Sequence, residues 1–151
     1  MLKKYLTNNP SQTEKIATQM GKKFLKTSFP KKAIILGLEG ELGSGKTTFL
    51  KAFARGLGIR KKVLSPTFVI MKKFKVSKGK TYRYFYHFDC YRIKNSKEFQ
   101  ALGFREIFSD PKNIIAVEWA NKIKKIMPKH TIWMKFEFID EKKRNILINN
   151  H

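Results

Sequence analysis

Eight consecutive residues, Gly40-Glu41-Leu42-Gly43-Ser44-Gly45-Lys46-Thr47, satisfy the pattern G-x-x-x-x-G-K-[ST] in full. Glycines at these positions let successive backbone amides curl around phosphate oxygens, and the helix expected to follow points its positive end at the same place. Lys46 supplies a point charge. Thr47 offers a hydroxyl to Mg2+, the ion that bridges outer phosphates and neutralises charge developing in phosphoryl transfer. At this composition a chance match is expected on the order of 0.01 times in the whole chain. Gly40 to Thr47 is therefore read as a nucleotide-phosphate site.

Magnesium needs a further carboxylate. Glu118 directly follows the apolar run Ile114-Ile115-Ala116-Val117, which places it where a buried strand emerges at the ligand edge of an α/β sheet. The plain alternative is an acid that merely ends a strand. Asp89 is the other isolated acid, set among aromatics in Tyr86-His87-Phe88-Asp89-Cys90-Tyr91-Arg92. It could orient an attacking water, complete the Mg2+ shell, or pair with Arg92 as a structural ion pair. His87 and Cys90 read as packing residues rather than ligands. In Ser65-Pro66-Thr67 the Thr67 hydroxyl could sense the γ-phosphate and metal as a switch does, or could simply start a strand. Guanine specificity would require N-K-x-D; Asn121-Lys122-Ile123-Lys124 lacks the aspartate, which points to adenine.

These groups need elements to hold them. Ser11-Gln12-Thr13-Glu14 has the form of a capping box and predicts a helix running toward Leu25, with Ile16, Met20 and Phe24 on one face. The run from Ala33 to Leu38 predicts a strand buried on both faces, followed by the glycine turn and a helix from Lys46 to about Arg55 that stops at Gly56-Leu57-Gly58. Residues 66–76 and 81–93 read as an antiparallel hairpin, residues 97–108 as a short helix, and 114–117 as a second buried strand. A basic helix from Ala120 to Met127 and a last hairpin, turning near Asp140-Glu141-Lys142-Lys143, complete the chain. The sum is one α/β domain, residues 1–151, with a mixed parallel and antiparallel sheet flanked by helices in the manner of P-loop NTPases.

Lys and Arg number 33 against 11 Asp and Glu, a formal charge of +22. The excess invites a nucleic-acid reading. Yet 27 of the cations are lysines and only 6 are arginines, spread along the chain without a tail or block, which suits a solvated background equally well. Hydrophobic residues make up 42% of the chain, enough for a packed core and against a disordered basic tail. No apolar run approaches the ~18 residues of a membrane span, and the N-terminus has no signal-peptide core, so a cytoplasmic protein is expected. The single cysteine, Cys90, allows neither an internal disulfide nor a cysteine zinc cluster.

Taken together, Gly40 to Thr48, Ser65-Pro66-Thr67-Phe68, His87-Phe88-Asp89-Cys90-Tyr91-Arg92 and Glu118-Trp119 resemble, in order and over nearly the whole chain, the TsaE (YjeE) family of tRNA threonylcarbamoyladenosine biosynthesis. The P-loop alone is common, whereas the four blocks in combination are specific. The resemblance implies ATP hydrolysis in the cytoplasm alongside TsaD and TsaB, which modify the adenosine beside the tRNA anticodon. It implies phosphate binding by Leu42 to Thr47, Mg2+ at Thr47 and Glu118, and a need for Asp89 in turnover. It also places Arg144, in the last hairpin, and Thr13 near the nucleotide. Lys143-Arg144 stands where the family has Gly-Arg, and Ala120 replaces the proline that follows Glu-Trp. Trp119 could stack near the nucleotide, signal its state to a partner, or sit in the core.

Two other readings compete. A small-molecule kinase would need an acceptor pocket and an arginine-bearing lid, but the 6 arginines do not cluster in the sequence. A direct RNA-binding module would use the cations and aromatics and bind with a steep salt dependence.

Overall fold

The apolar run forms the strand it predicts, β2 (Ile34–Glu39), and β2 leads through the glycine turn into α2 (Lys46–Gly56). The structure, a computed structural model, describes residues 2–61 and 71–150. The remaining described elements are β1 (Leu2–Thr7), α1 (Pro10–Leu25), β3 (Met71–Lys75), β4 (Tyr84–Asp89), α3 (Ser96–Gln100), α4 (Phe104–Ser109), β5 (Asn113–Glu118), a 3-10 segment (Ala120–Ile126), β6 (Ile132–Phe138) and β7 (Arg144–Asn149).

The sheet runs β1-β7-β6-β2-β5-β4-β3. Its centre is parallel, with β5 between β2 and β4 and β6 on the other side of β2, while β1, β7 and β3 join antiparallel at the margins. β5 is buried at all six positions, as expected of a strand covered on both faces. α1 and α2 cover one face over a core that includes Leu36, Leu38, Phe49, Phe53 and Phe85. The α3, α4 and 3-10 elements cover the other over Ile35, Tyr86, Phe88, Phe99 and Val117. Helices α1 and α2 cross closely at two glycines: a Cβ on Gly21 would lie 2.5 Å from the Phe53 carbonyl oxygen, and one on Gly56 2.4 Å from that of Thr18.

Several boundaries differ from the sequence reading. The cap of α1 is Asn9, whose side chain accepts from the Gln12 amide, with Pro10 opening the helix. Proline suits that position because it has no amide to leave unpaired. Glu14, expected in the capping box, instead pairs with Arg55 of α2 at 3.4 Å. The helix expected over 97–108 is two short helices, parted before Gly103, which adopts φ +73°. The basic helix after Glu118 is a 3-10 segment kinked at Ile123. Strand β1 was not anticipated. The first half of the expected 66–76 strand, together with Ser65, Pro66, Thr67 and Phe68, lies outside the described residues. Among the described residues no helix is long and apolar enough to cross a membrane.

Candidate functional site

The C-terminal ends of β2, β4 and β5 converge beside the glycine turn. Register puts Leu38 and Asp89 opposite Glu118 on either side, so three adjacent strands deliver the turn, Asp89 and Glu118 to one sheet edge. The Glu118 backbone carbonyl accepts from the Cys90 amide at 3.0 Å, tying the end of β5 to the residue after Asp89.

The turn is built for an anion. Gly43 and Gly45 have φ +77° and +102°, a conformation that glycine adopts without strain. Gly45 is the N-cap of α2 and has no side chain to cap the helix, so the first amides of α2 are left for another acceptor. The Lys46 ammonium donates to the Gly40 carbonyl, to the Glu41 carbonyl at 2.9 Å and to Ser44 Oγ at 3.4 Å. It lies 4.5 Å from the centre of the Trp119 ring. Burial pushes the Lys46 pKa below its ordinary value, and the carboxylates of Glu118, Asp89 and Glu41 partly offset that push. Leu42 stands out at the tip, 71% exposed, while Thr48 is half-buried in the first turn of α2.

Glu118 is held at both oxygens. Thr47 Oγ1 donates to its Oε1 at 3.3 Å, and His87 Nε2 lies 2.8 Å from its Oε2. His87 is fully buried, and its Nδ1 has no hydrogen-bond partner among the described residues. A proton on Nε2 makes the ring a donor to the carboxylate and leaves Nδ1 a bare acceptor, the arrangement that buries no unpaired N–H. His87 is therefore a positioning residue for Glu118 rather than the packing residue expected. The signal was present in the sequence: strand alternation puts Phe85, His87 and Asp89 on one face, and Phe85 and His87 stack there with ring centres 6.5 Å apart. On the sequence expectation of a Mg-ATP site, replacing His87 with alanine should lower turnover by about 10-fold or more while leaving nucleotide affinity nearly unchanged, as loss of an outer partner of a metal-ligating group does. Initial rates across a magnesium series check this, with the half-saturating magnesium concentration expected to rise.

Asp89 is half-buried, and its Oδ1 accepts from the Tyr91 amide at 2.9 Å, shaping the turn after β4. Trp119 has φ +57°, uncommon for a bulky residue, and its indole packs against the edge of the core that holds Phe88 and Val117. It is partly buried and packs on Tyr91 at 5.1 Å between ring centres. Cys90 is fully buried, and its thiol is pushed up to about 12, chiefly by burial.

The last hairpin supplies Arg144. Asp140 Oδ1 accepts from the Lys142 and Lys143 amides, each at 2.8 Å, and these bonds, that of Lys143 foremost, hold its carboxyl below the ordinary range. The turn so formed carries Arg144 to the glycine loop, where Nη2 donates to the Gly43 carbonyl at 3.0 Å and the guanidinium lies 4.6 Å from the Phe138 ring centre. Lysine in place of glycine at 143 does not prevent this approach. Thr13 is buried and shares a 2.8 Å hydrogen bond with Thr7 Oγ1, and Thr7 is the strand neighbour of Arg144. Thr13 is thus linked to the loop through Thr7 and Arg144. Thr67 lies outside the described residues.

Among the described residues no three His, Cys, Asp or Glu side chains converge as a metal cluster. Thr47 Oγ1 and Glu118 Oε1 form a small oxygen donor set of the kind magnesium accepts when phosphate and water complete its shell.

The family model described as "Threonylcarbamoyl adenosine biosynthesis protein TsaE" matches residues 7–146. A protein of Bacillus subtilis called tRNA threonylcarbamoyladenosine biosynthesis protein TsaE is 37% identical over 143 residues, covering 95% of this chain and 82% of that protein. Its namesake in Haemophilus influenzae is 34% identical, covering 85% and 79%. The crystal structure of B. subtilis YdiB superposes with a TM-score of 0.73 at 31% identity, covering 99% of this chain and 86% of that one.

Proposed function

Since the chain belongs to the TsaE family of tRNA threonylcarbamoyladenosine biosynthesis proteins, we propose that it is the magnesium-dependent ATPase of that machinery, working in the cytoplasm with TsaD and TsaB. One observation carries the ATPase reading: Thr47 of the glycine loop reaches Glu118 at 3.3 Å across two strand ends, so the loop and the carboxylate that a Mg-nucleotide needs meet at one point. Two glycines at positive φ, a helix start with no side-chain cap and Lys46 suit the phosphates.

In this account the amides from Gly43 to Thr48 and the Lys46 ammonium bind the β- and γ-phosphates, and Arg144 adds a guanidinium at the Gly43 side. Thr47 and Glu118 would hold magnesium, which when bound neutralises charge on the outer phosphates. His87 fixes the Glu118 carboxylate. Asp89, opposite Glu118 in register, either aligns the attacking water or adds to the metal shell. Trp119 shields the Lys46 ammonium from solvent.

Coupling to protein partners is supported by a second feature of the same edge. Leu42, Phe138 and Ile139 are 71%, 57% and 49% exposed around the Gly43–Arg144 contact, an apolar surface of the kind proteins use to meet partners. ATP binding and phosphate release, measured with magnesium and with chelator and compared with GTP, test the enzymatic half. Magnesium-dependent hydrolysis selective for ATP is expected. No phosphate release from ATP with TsaD and TsaB present would overturn it, and rapid transfer to a metabolite without them would make the chain a small-molecule kinase.

A further inference from the structure

We propose that the concave basic surface between the C-terminal end of α2 and the β3–β4 turn binds the phosphate backbone of tRNA directly. Lys51, Arg55, Arg60, Lys61, Lys75 and Lys78 line one open concavity, together with Gly58, Ile59, Phe74 and Ser77. Five of these cations are exposed and Lys51 is half-buried. Among the described residues one acid touches them, Glu14 on Arg55, and that pair is about half exposed at both ends and so worth little. The concavity lies along the C-terminal half of α2, whose Lys51 and Arg55 stand ~8 and ~14 Å along the helix from Lys46.

The chemistry of the lining chooses the partner. A protein-binding surface would carry exposed aromatic or aliphatic anchors at its centre, but Ile59 and Phe74 are only 6% and 9% exposed. What remains among the described residues is a run of like charge without an apolar middle, which matches a continuous polyanion, and the backbone of an A-form stem is recognised largely through phosphate and ribose contacts. The four cations from α2 and the residues after it do not belong to an edge strand, so guarding a sheet edge against pairing does not account for them. The choice of tRNA among RNAs rests on family membership. It does not depend on ATP hydrolysis.

The test is fluorescence anisotropy of labelled tRNA with the full chain, without nucleotide, at 50 and 200 mM NaCl. If about six phosphates are contacted, affinity should fall roughly 10³-fold across that range. The triple variant Lys51→Glu/Arg60→Glu/Lys75→Glu is compared with Lys94→Glu/Lys97→Glu/Arg105→Glu, whose exposed cations lie on and beside α3 and α4 over the opposite sheet face. Both triples remove the same charge, so generic attraction is matched and only position differs. The first should bind tRNA at least 30-fold more weakly than the second, with a salt slope shallower by about 2 to 3. Equal losses in the two triples, or no tRNA binding by the unaltered chain at 50 mM NaCl, would overturn the proposal. So would normal tRNA binding by the first triple with loss of TsaD and TsaB binding, which would make the surface a protein contact. Circular dichroism confirms folding, and the corresponding glutamine triples give the same ranking if a charge reversal fails to fold. ATP turnover, measured in parallel, reports on the nucleotide site separately.

Discussion

ATP affinity is expected to fall about 100-fold when Lys46 is replaced by alanine, with phosphate release lost at any attainable ATP concentration. The ammonium sits inside the loop, held by the Gly40 and Glu41 carbonyls and Ser44 Oγ, at the start of a helix whose first amides have no side-chain cap. A charge-assisted contact to phosphate in so enclosed a place contributes ~3 kcal/mol, and each 1.4 kcal/mol is tenfold in affinity. The pH dependence has a definite sign. Burial lowers the Lys46 pKa from its ordinary 10.5, and bound phosphate favours the charged form. The ammonium's contribution to affinity is therefore complete below that lowered pKa and is lost as pH rises through it. Isothermal titration from pH 7 upward should show affinity declining on the alkaline side for the native chain, and a flat alkaline limb for Lys46→Ala. An unchanged dissociation constant in Lys46→Ala would remove Lys46 from the phosphate site.

Asp89→Ala is expected to retain ATP affinity within about threefold and to lose 10²–10⁴-fold in turnover, the range supplied by a well-placed group that aligns or deprotonates a nucleophile. Its place argues for this: one strand over from Glu118 in register, half-buried at the mouth of the site. Asp89 also shapes the turn by accepting from the Tyr91 amide, so alanine removes two things at once. Asparagine separates them, because its side-chain oxygen still accepts from Tyr91 while the charge is gone. Asp89→Asn should therefore be nearly as slow as Asp89→Ala if the carboxylate acts in turnover, and nearly normal if only the turn matters. A magnesium series then distinguishes the two chemical roles: the half-saturating concentration rises if Asp89 contributes to the metal shell and stays put if it orients water. Normal turnover with unchanged affinity in both variants would take Asp89 out of the mechanism.

What could be read in the sequence was what local spacing encodes. The glycine loop, the strand before it and the helix after it are written in consecutive residues, and the structure has them at 34–39 and 46–56. Glu118 could be placed because it directly follows the apolar run Ile114 to Val117, which the structure buries in β5, and an acid at the end of such a run stands out. The features that were missed depend on distant neighbours. Strand β1 carries lysines at positions 3 and 4 and has mostly exposed side chains; it is a strand because β7 offers it an edge. Strand alternation puts His87 on the face of Asp89, but it looked like packing because nothing in its own segment says that Glu118, 31 residues later, ends one strand away. At the start of α1, Ser11 and Glu14 imitated a capping box, but Pro10 at the first helical position let Asn9 take the cap. The Gly103 break was visible as a glycine, though its left-handed conformation was not.

The proposed hydrolysis of ATP within a protein assembly stands or falls on phosphate release. Phosphate release with Mg-ATP should be measured for the chain alone, with TsaD, with TsaB, and with both, using Lys46→Ala in the full mixture as the background. Slow release is expected for the chain alone, with marked stimulation only when both partners are present and none above background with Lys46→Ala. Equal release with and without the partners, or release in the full mixture that survives Lys46→Ala, would contradict it.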